Sequence, residues 1–365
     1  MYAVKKRAIT IVRETRLRVN TWKRVWVTLA VIGYVLLWYA ALFNHRPRAV
    51  YTLPDPAVIT NTLGDDSQKE YCRVDLNSLT SQNIDILEDP EYDDIVKSNP
   101  QVQKGGHWAP KTCLPFQKVA IIIPYRNRWH HLKLLLKRLH PMLERQHIDY
   151  RIFVIEQSGT NSFNRGMLMN IGYAEAFRYG SFNCFIFQDA DLLPEHDRNL
   201  YLCDNEARHL ASAIDEMRYH VMYYNNAGGV IAVNKENYIK VNGFSNNYWG
   251  WGQEDDDFSA RTEAAGLKLT RPPEYIGRYK MVRHSKASKS DSGPNYFSYW
   301  RARWKTDGIS SIKSVGYKVL SVSEEPLHTK ILVDVGDPPN QEDVMESLKN
   351  QKPESLLWYL KFYLP

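Results

Sequence analysis

Five consecutive apolar positions, Val119, Ala120, Ile121, Ile122 and Ile123, closed by Pro124, mark the centre of the chain. A run with no polar alternation is what a strand buried on both faces requires. After it, His131, Leu132, Leu134, Leu135, Leu136 and Leu139 recur at helical spacing and predict an amphipathic helix that Pro141 breaks or kinks. The alternation then repeats. A second strand is expected at Arg151, Ile152, Phe153, Val154 and Ile155, a second helix over residues 163–177, and a third strand at Cys184, Phe185, Ile186 and Phe187. Strand, helix, strand, helix, strand predicts parallel pairing with right-handed crossovers, and ligands of such α/β sheets bind beyond the C-terminal strand ends. Farther on come a glycine turn before an apolar strand at residues 225–230 and a last strand at Ile331, Leu332, Val333, Asp334 and Val335.

The flanks read differently. Residues 25–43 carry no charged side chain and are long enough to cross a bilayer, with Trp26, Trp38 and Tyr39 suited to its interfaces. Eight basic side chains and one acid precede them in residues 1–24, which favours a cytoplasmic N-terminus and an uncleaved signal anchor. The proline-containing residues 44–70 read as a stem, residues 71–338 as one catalytic domain, and residues 339–365 as a C-terminal extension. Within the domain, residues 72–113 lack periodicity and are expected as a loop-rich flap. The stretch 355–364 is apolar but too short to span a membrane, so packing on the domain is expected of it. The chain holds 47 basic and 41 acidic side chains, and the whole of the excess sits in the N-terminal tail. Nucleic-acid binding by the folded part therefore has no electrostatic support.

Candidate chemistry falls at the strand ends. After the first come Pro124, Tyr125, Arg126, Asn127 and Arg128, two guanidiniums where a phosphate can sit; each alone would be an ordinary solvated arginine. After the third comes Asp189-Ala190-Asp191, two carboxylates projected from a buried strand, able to hold a divalent cation against a diphosphate. Met281 and His284 lie three apart. With Asp191 they make a thioether, imidazole and carboxylate set better matched to Mn²⁺ than to Mg²⁺. Most distinctive is Trp249-Gly250-Trp251-Gly252-Gln253-Glu254-Asp255-Asp256-Asp257. Four adjacent acids repel one another unless a helix N-terminus, a cation or a ligand answers them. The residues after them read as helical, so the bland reading is a helix first turn. The glycines on either side of Trp251 free that ring to swing as a lid, and an aromatic face beside carboxylates is how a pyranose is held. Four cysteines, Cys72, Cys113, Cys184 and Cys203, suit an oxidising compartment, and two disulfides in any of three pairings are open.

Taken in order, these motifs resemble the β-1,4-galactosyltransferase family of Golgi type II membrane glycosyltransferases, over residues 72–338. Phe163-Asn164-Arg165, Gly243-Phe244 and Met281-Val282-Arg283-His284-Ser285 belong to the same set. The resemblance implies a GT-A fold, a Rossmann-like mixed sheet, and inverting transfer from a UDP-sugar with Mn²⁺. Pro124, Tyr125, Arg126, Arg128, Phe163, Arg165, Asp189 and Ala190 would hold uridine and diphosphate, and Asp191, Met281 and His284 the metal. Trp251 would close over the donor. Asp255 would be the base that takes the proton of the acceptor 4-hydroxyl, and Glu254 would orient the acceptor beside Gln253 and Asp256. Tyr296, Phe297 and Trp300 fall on the acceptor N-acetyl pocket, and the disulfides would be Cys72 with Cys113 and Cys184 with Cys203.

One departure bears on the donor. Galactose-transferring members carry a tyrosine two residues before the Gly-Gly pair, where this chain has Asn226. A smaller residue removes an obstruction to a 2-acetamido group, so UDP-GalNAc is favoured over UDP-Gal while UDP-GlcNAc stays open as donor, with a GlcNAc-terminated glycan on protein or lipid as acceptor. The competing classes are a catalytically inactive sugar-binding subunit and a two-metal hydrolase. Retention of Asp255, Asp191, Met281 and His284 opposes the first, and the scarcity of further ligands opposes the second.

Overall fold

The computed structural model describes residues 28–29, 32–34, 69–284 and 296–363. The chain divides into two units, Met1–Pro47 with Leu364–Pro365, and Arg48–Tyr363. Of the first, only the helical residues Thr28, Leu29, Ile32, Gly33 and Tyr34 are described. The basic tail, most of the expected anchor and stem, and residues 285–295 with Ser285 lie outside the described residues. Among the described residues, no helix is long and apolar enough to cross a membrane.

In the second unit, residues 72–113 carry helix α1 (Tyr92–Ser98) and strand β1 (His107–Trp108). The flap expected here is thus more regular than its sequence suggests, and Glu88 and Asp89 fasten it by ion pairs to Lys137 and Lys133. Strand β2 (Lys118–Tyr125), helix α2 (Trp129–Arg145), β3 (Asp149–Gln157), α3 (Arg165–Ala176) and β4 (Cys184–Gln188) follow. β2 lies between β3 and β4 and parallel to both. Its residues alternate between two cores: Val119, Ile121 and Ile123 face the leucines of α2, whereas Ala120 and Ile122 face α3. This double burial is why the run shows no polar position.

The structure refines two expectations. α2 runs through Pro141 to Arg145 rather than ending there, because Met142 and Leu143 beyond it are fully buried. Core packing outweighs one missing backbone donor. The second helix begins at Arg165, later than residue 163, where the Asn164 side chain accepts from the Met167 amide at 2.9 Å and caps it. Gly172 lets this helix lie close on the sheet, since a Cβ there would stand 2.2 Å from Ile122 Cγ2.

The remaining elements include β5 (Leu192–Pro194), β6 (Ala207–His209), β7 (Ala213–Ile214), β8 (Val230–Asn234), α4 (Glu254–Ala264), β9 (Leu269–Thr270), β10 (Arg278–Met281), α5 (Trp300–Arg303), β11 (Lys318–Glu324), β12 (Thr329–Asp334), α6 (Gln341–Leu348) and α7 (Leu356–Tyr363), with short helices also at Lys235–Lys240 and Ile312–Val315. The main sheet is mixed, in the order β11-β12-β3-β2-β4-β8-β6-β9, with β1 also on β3. The last strand expected from the sequence, β12, lies inside the sheet and parallel to β3, while β8 runs antiparallel to β4. A second sheet, β5-β10-β7, sits where β4 ends, and in it Met281 pairs with Leu192. Disulfides join Cys72 to Cys113 and Cys184 to Cys203. Near the C-terminus, Phe362 of α7 is buried with Ala260, Phe297 and Trp300, and Leu348 of α6 with Tyr248 and Tyr296.

Candidate active site

The C-terminal ends of β2 and β4, the start of α3 and the start of α4 converge beside β5 and β10. β2 delivers Pro124 and Tyr125, and the chain then turns through Asn127, at φ +51°, to Arg128. The Arg126 guanidinium donates to the Asn161 carbonyl at 2.6 Å and lies 5.3 Å over the Phe163 ring. Arg128 Nη2 is 3.2 Å from His284 Nδ1, and His284 Nε2 is 3.0 Å from Asp191 Oδ2. A guanidinium can only donate, so Nδ1 accepts and the imidazole proton sits on Nε2, directed at the carboxylate. Met281 is held at the same place by its pairing to Leu192 and by the Val282 amide, which donates to the Asp191 carbonyl at 2.8 Å. Carboxylate, imidazole and thioether residues therefore meet where β4 ends, and that donor set fits a borderline divalent cation such as Mn²⁺.

Arg165, the first residue of α3, ties this cluster to the acidic run. Its Nε donates to Asp189 Oδ1 at 2.6 Å, its Nη1 to Glu254 Oε1 at 3.2 Å, and its Nη2 to the Gly229 carbonyl at 3.4 Å. Burial pushes the Asp189 carboxyl up to about 6, although the Arg165 cation pulls the other way.

The four acids opening α4 have four different environments. All sit on the first turn, where the helix dipole favours negative charge. Burial, and then Asp255, push Glu254 up to about 7 against the pull of Arg165. Asp255 reaches towards the Gly228-Gly229 turn: a Cβ on Gly228 would lie 2.8 Å from Asp255 Oδ2, so only glycine permits this approach. Asp256 accepts from the Tyr223 hydroxyl at 2.5 Å and the Tyr363 hydroxyl at 3.1 Å, and burial with the Asp255 charge pushes it up to about 8. Asp257 is structural. Burial alone would raise it, but Arg261 and Arg303 outweigh burial and hold it below the usual carboxylate range. Among the described residues, Glu254 Oε2 and Gln253 Oε1 are buried and accept no hydrogen bond.

Trp251 stands 57% exposed between Gly250 at φ +91° and Gly252 at φ +111°, and the Gly250 amide donates to the Phe163 carbonyl at 2.8 Å. The loop is thus anchored at its base with the ring free on the surface. Asn226 is nearly buried, and its backbone is fixed from behind: Arg271 Nη2 donates to the Tyr224 and Asn226 carbonyls at 2.6 and 2.8 Å. Arg271 Nε also donates to His209 Nδ1 at 3.1 Å, and His209 Nε2 donates to the Gly228 carbonyl at 2.8 Å. Sequence reasoning missed Arg271, His209, Tyr223 and Tyr363, which belong to no local motif and reach the site only through the sheet and α7.

Tyr296, Phe297 and Trp300 do not join the carboxylates at an open face. They are buried: Tyr296 lies under Arg303, whose guanidinium is 3.6 Å from its ring centroid, and Phe297 and Trp300 pack against α7.

Residues 72–204 match the N-terminal region of glycosyl transferase group 7, and residues 208–285 the N-terminal domain of galactosyltransferase. The chain is 45% identical over 244 residues to β-1,4-galactosyltransferase 1 of Mus musculus, covering 67% of this chain and 61% of that protein. It is 43% identical over 250 residues to β-1,4-galactosyltransferase 2 of Homo sapiens, covering 67% and 66%. The match thus spans less than two thirds of either relative. Among solved structures, a mutant Drosophila β-1,4-galactosyltransferase 7 in complex with manganese, UDP-Gal and xylobiose aligns with TM-score 0.51 at 27% identity, covering 60% of this chain and 92% of that one.

Proposed function

The chain belongs to the β-1,4-galactosyltransferase family, and from that premise we propose that it is an inverting glycosyltransferase that moves a hexose from a UDP-sugar to the 4-hydroxyl of a terminal β-GlcNAc on a glycoprotein or glycolipid. The observation that carries this reading is the bridge through Arg165, which joins Asp189 on the nucleotide side to Glu254 on the acceptor side and makes one site of two motifs. Pro124, Tyr125, Arg126, Arg128, Phe163, Asp189 and Ala190 bind uridine and diphosphate. Asp191, Met281 and His284 would hold Mn²⁺, the ion in the Drosophila complex, and when bound it supplies positive charge that offsets charge gathering on the departing diphosphate. Asp255 takes the acceptor hydroxyl proton as the new bond to the anomeric carbon forms and the bond to the UDP oxygen breaks. Gln253, Glu254 and Asp256 orient the acceptor, and Trp251 closes over the donor and excludes water.

The donor we favour is UDP-GalNAc. Asn226 stands where galactose-transferring members carry tyrosine, and a smaller residue there leaves room for a 2-acetamido group that its amide could hydrogen-bond. The names of the relatives and the UDP-Gal of the Drosophila complex favour galactose as the second reading. Residues 25–43 would anchor the chain as a single-pass type II Golgi membrane protein with residues 71–338 in the lumen. The test is UDP release by the full chain with Mn²⁺ and p-nitrophenyl β-GlcNAc, with UDP-GalNAc, UDP-Gal and UDP-GlcNAc compared in parallel. Acceptor-dependent release fastest with UDP-GalNAc is expected. A preference for UDP-Gal removes the reading of Asn226, and release from no donor removes the transferase.

A further inference from the structure

Tyr363, the last residue of α7, donates to Asp256 Oδ2 at 3.1 Å, one position from the proposed base. Tyr223 donates to the other oxygen, and the two tyrosine rings meet edge to face with centroids 5.0 Å apart. One residue earlier, the Phe362 carbonyl accepts from Asn225 Nδ2 at 3.0 Å, beside Asn226. The Phe362 ring is buried against Phe297, centroid to centroid 5.6 Å, and Trp358 lies 5.7 Å from Trp300. α7 therefore touches three parts of the site: the segment leading to the Gly-Gly turn, the acidic run, and the aromatic residues assigned by resemblance to the acceptor pocket. It does so from outside residues 72–204 and 208–285, the stretches that the two family models match.

We propose that α7 is the acceptor-side wall of the site and that Tyr363 is a positioning residue for the acceptor sugar, resting on the transferase reading above. Hydroxyls on both oxygens stop the Asp256 side chain from rotating. An acceptor that binds against a fixed Asp256 does not have to immobilise that side chain on binding, so the restraint acts on acceptor affinity. With Phe297 and Trp300 covered by α7, the surface left for the acceptor is formed by the half-buried Tyr363 and Tyr223 over the buried Asp256.

The test compares the full chain with its Tyr363→Phe variant, which keeps the ring and loses the hydroxyl, and with Tyr363→His, which retains an N–H donor. We expect Tyr363→Phe to raise the KM for p-nitrophenyl β-GlcNAc by roughly three- to tenfold, the effect of one hydrogen bond, with kcat and donor KM within about twofold. Tyr363→His should recover part of the loss even if Tyr363→Phe folds poorly. An unchanged acceptor KM overturns the proposal. So does a parallel loss of kcat on every substrate, which marks a merely structural role, and so does a lowered acceptor KM, which makes α7 a cover competing with the acceptor. Saturation-transfer NMR with methyl β-GlcNAc and UDP separates this from the transferase reading. Wild-type binding that Tyr363→Phe weakens supports the wall even if no UDP is released, and absence of wild-type binding overturns it.

Discussion

Asp257→Asn isolates the structural member of the acidic run. The carboxylate is fully buried and accepts from Arg261 Nε, from Arg303 Nη2 at 2.6 Å and from the Tyr248 hydroxyl at 2.8 Å. Both guanidiniums also reach Asp307, Arg303 at 2.6 Å and Arg261 at 3.6 Å. The asparagine keeps the shape but leaves two buried cations facing one carboxylate, and removing one partner of such a pair costs about 3–5 kcal/mol. At roughly 2–4 °C per kcal/mol for a domain of this order of size, the melting midpoint should fall by about 6–20 °C. The pH dependence fixes the origin. Asp257 is depressed in the folded state, so its contribution is present above the ordinary carboxylate pKa and is lost as pH falls through the depressed value. The gap between wild type and variant should therefore be full at neutral pH and begin to narrow below about pH 4, as pH approaches the depressed folded value. Differential scanning fluorimetry between pH 3 and pH 8 reads both. A midpoint within about 2 °C of wild type at neutral pH would refute the ion-pair argument, and a gap that persists unchanged at acid pH would assign the loss to packing.

The other members of the run behave differently. Asp255→Asn should leave UDP and Mn²⁺ binding intact by calorimetry while lowering transfer at least about a hundredfold, and full activity would remove Asp255 as the base. Asn226→Tyr should shift the kcat/KM ratio towards UDP-Gal over UDP-GalNAc, whereas an unchanged ratio would sink the donor argument. Asp256 is raised by burial and by Asp255, with Glu254 adding to the push and the Tyr223 and Tyr363 hydroxyls opposing it. A raised carboxyl destabilises progressively as pH climbs from the unfolded value towards the folded one near 8, so Asp256→Asn should gain midpoint over wild type between about pH 4 and pH 8. A gap that stays flat across that range would contradict the raised carboxyl.

Much of the α/β fold is legible in one dimension because its signals are local. Val119 to Ile123 is a doubly buried strand by its unbroken apolar run, Asp189-Ala190-Asp191 follows the third strand by direct adjacency, and the acids 254–257 open a helix by simple proximity. Motif spacing also carries the resemblance that pairs the cysteines. Pro141 shows where local reading fails: its missing donor is a local cost, while the burial of Met142 and Leu143 that outweighs it is a property of the assembled core.

What four neighbouring carboxylates do is decided only by the fold. The sequence presents them as equivalents, but successive side chains on a helix point about 100° apart, and each meets a different element. Glu254 meets Arg165 from α3, Asp255 the turn before β8, Asp256 two tyrosines about 140 residues apart, and Asp257 a pair of arginines. The same holds for Arg271 and His209, which reach the Asn226 turn through the pairing of β6 with β8 and β9, and for α7, whose tyrosine closes the ring around Asp256. The chain by itself determined which residue types were available and where its strands end. Long-range pairing decided which of them face one another, because hydrogen bonds and charges act over a few ångströms of space whatever the separation along the chain.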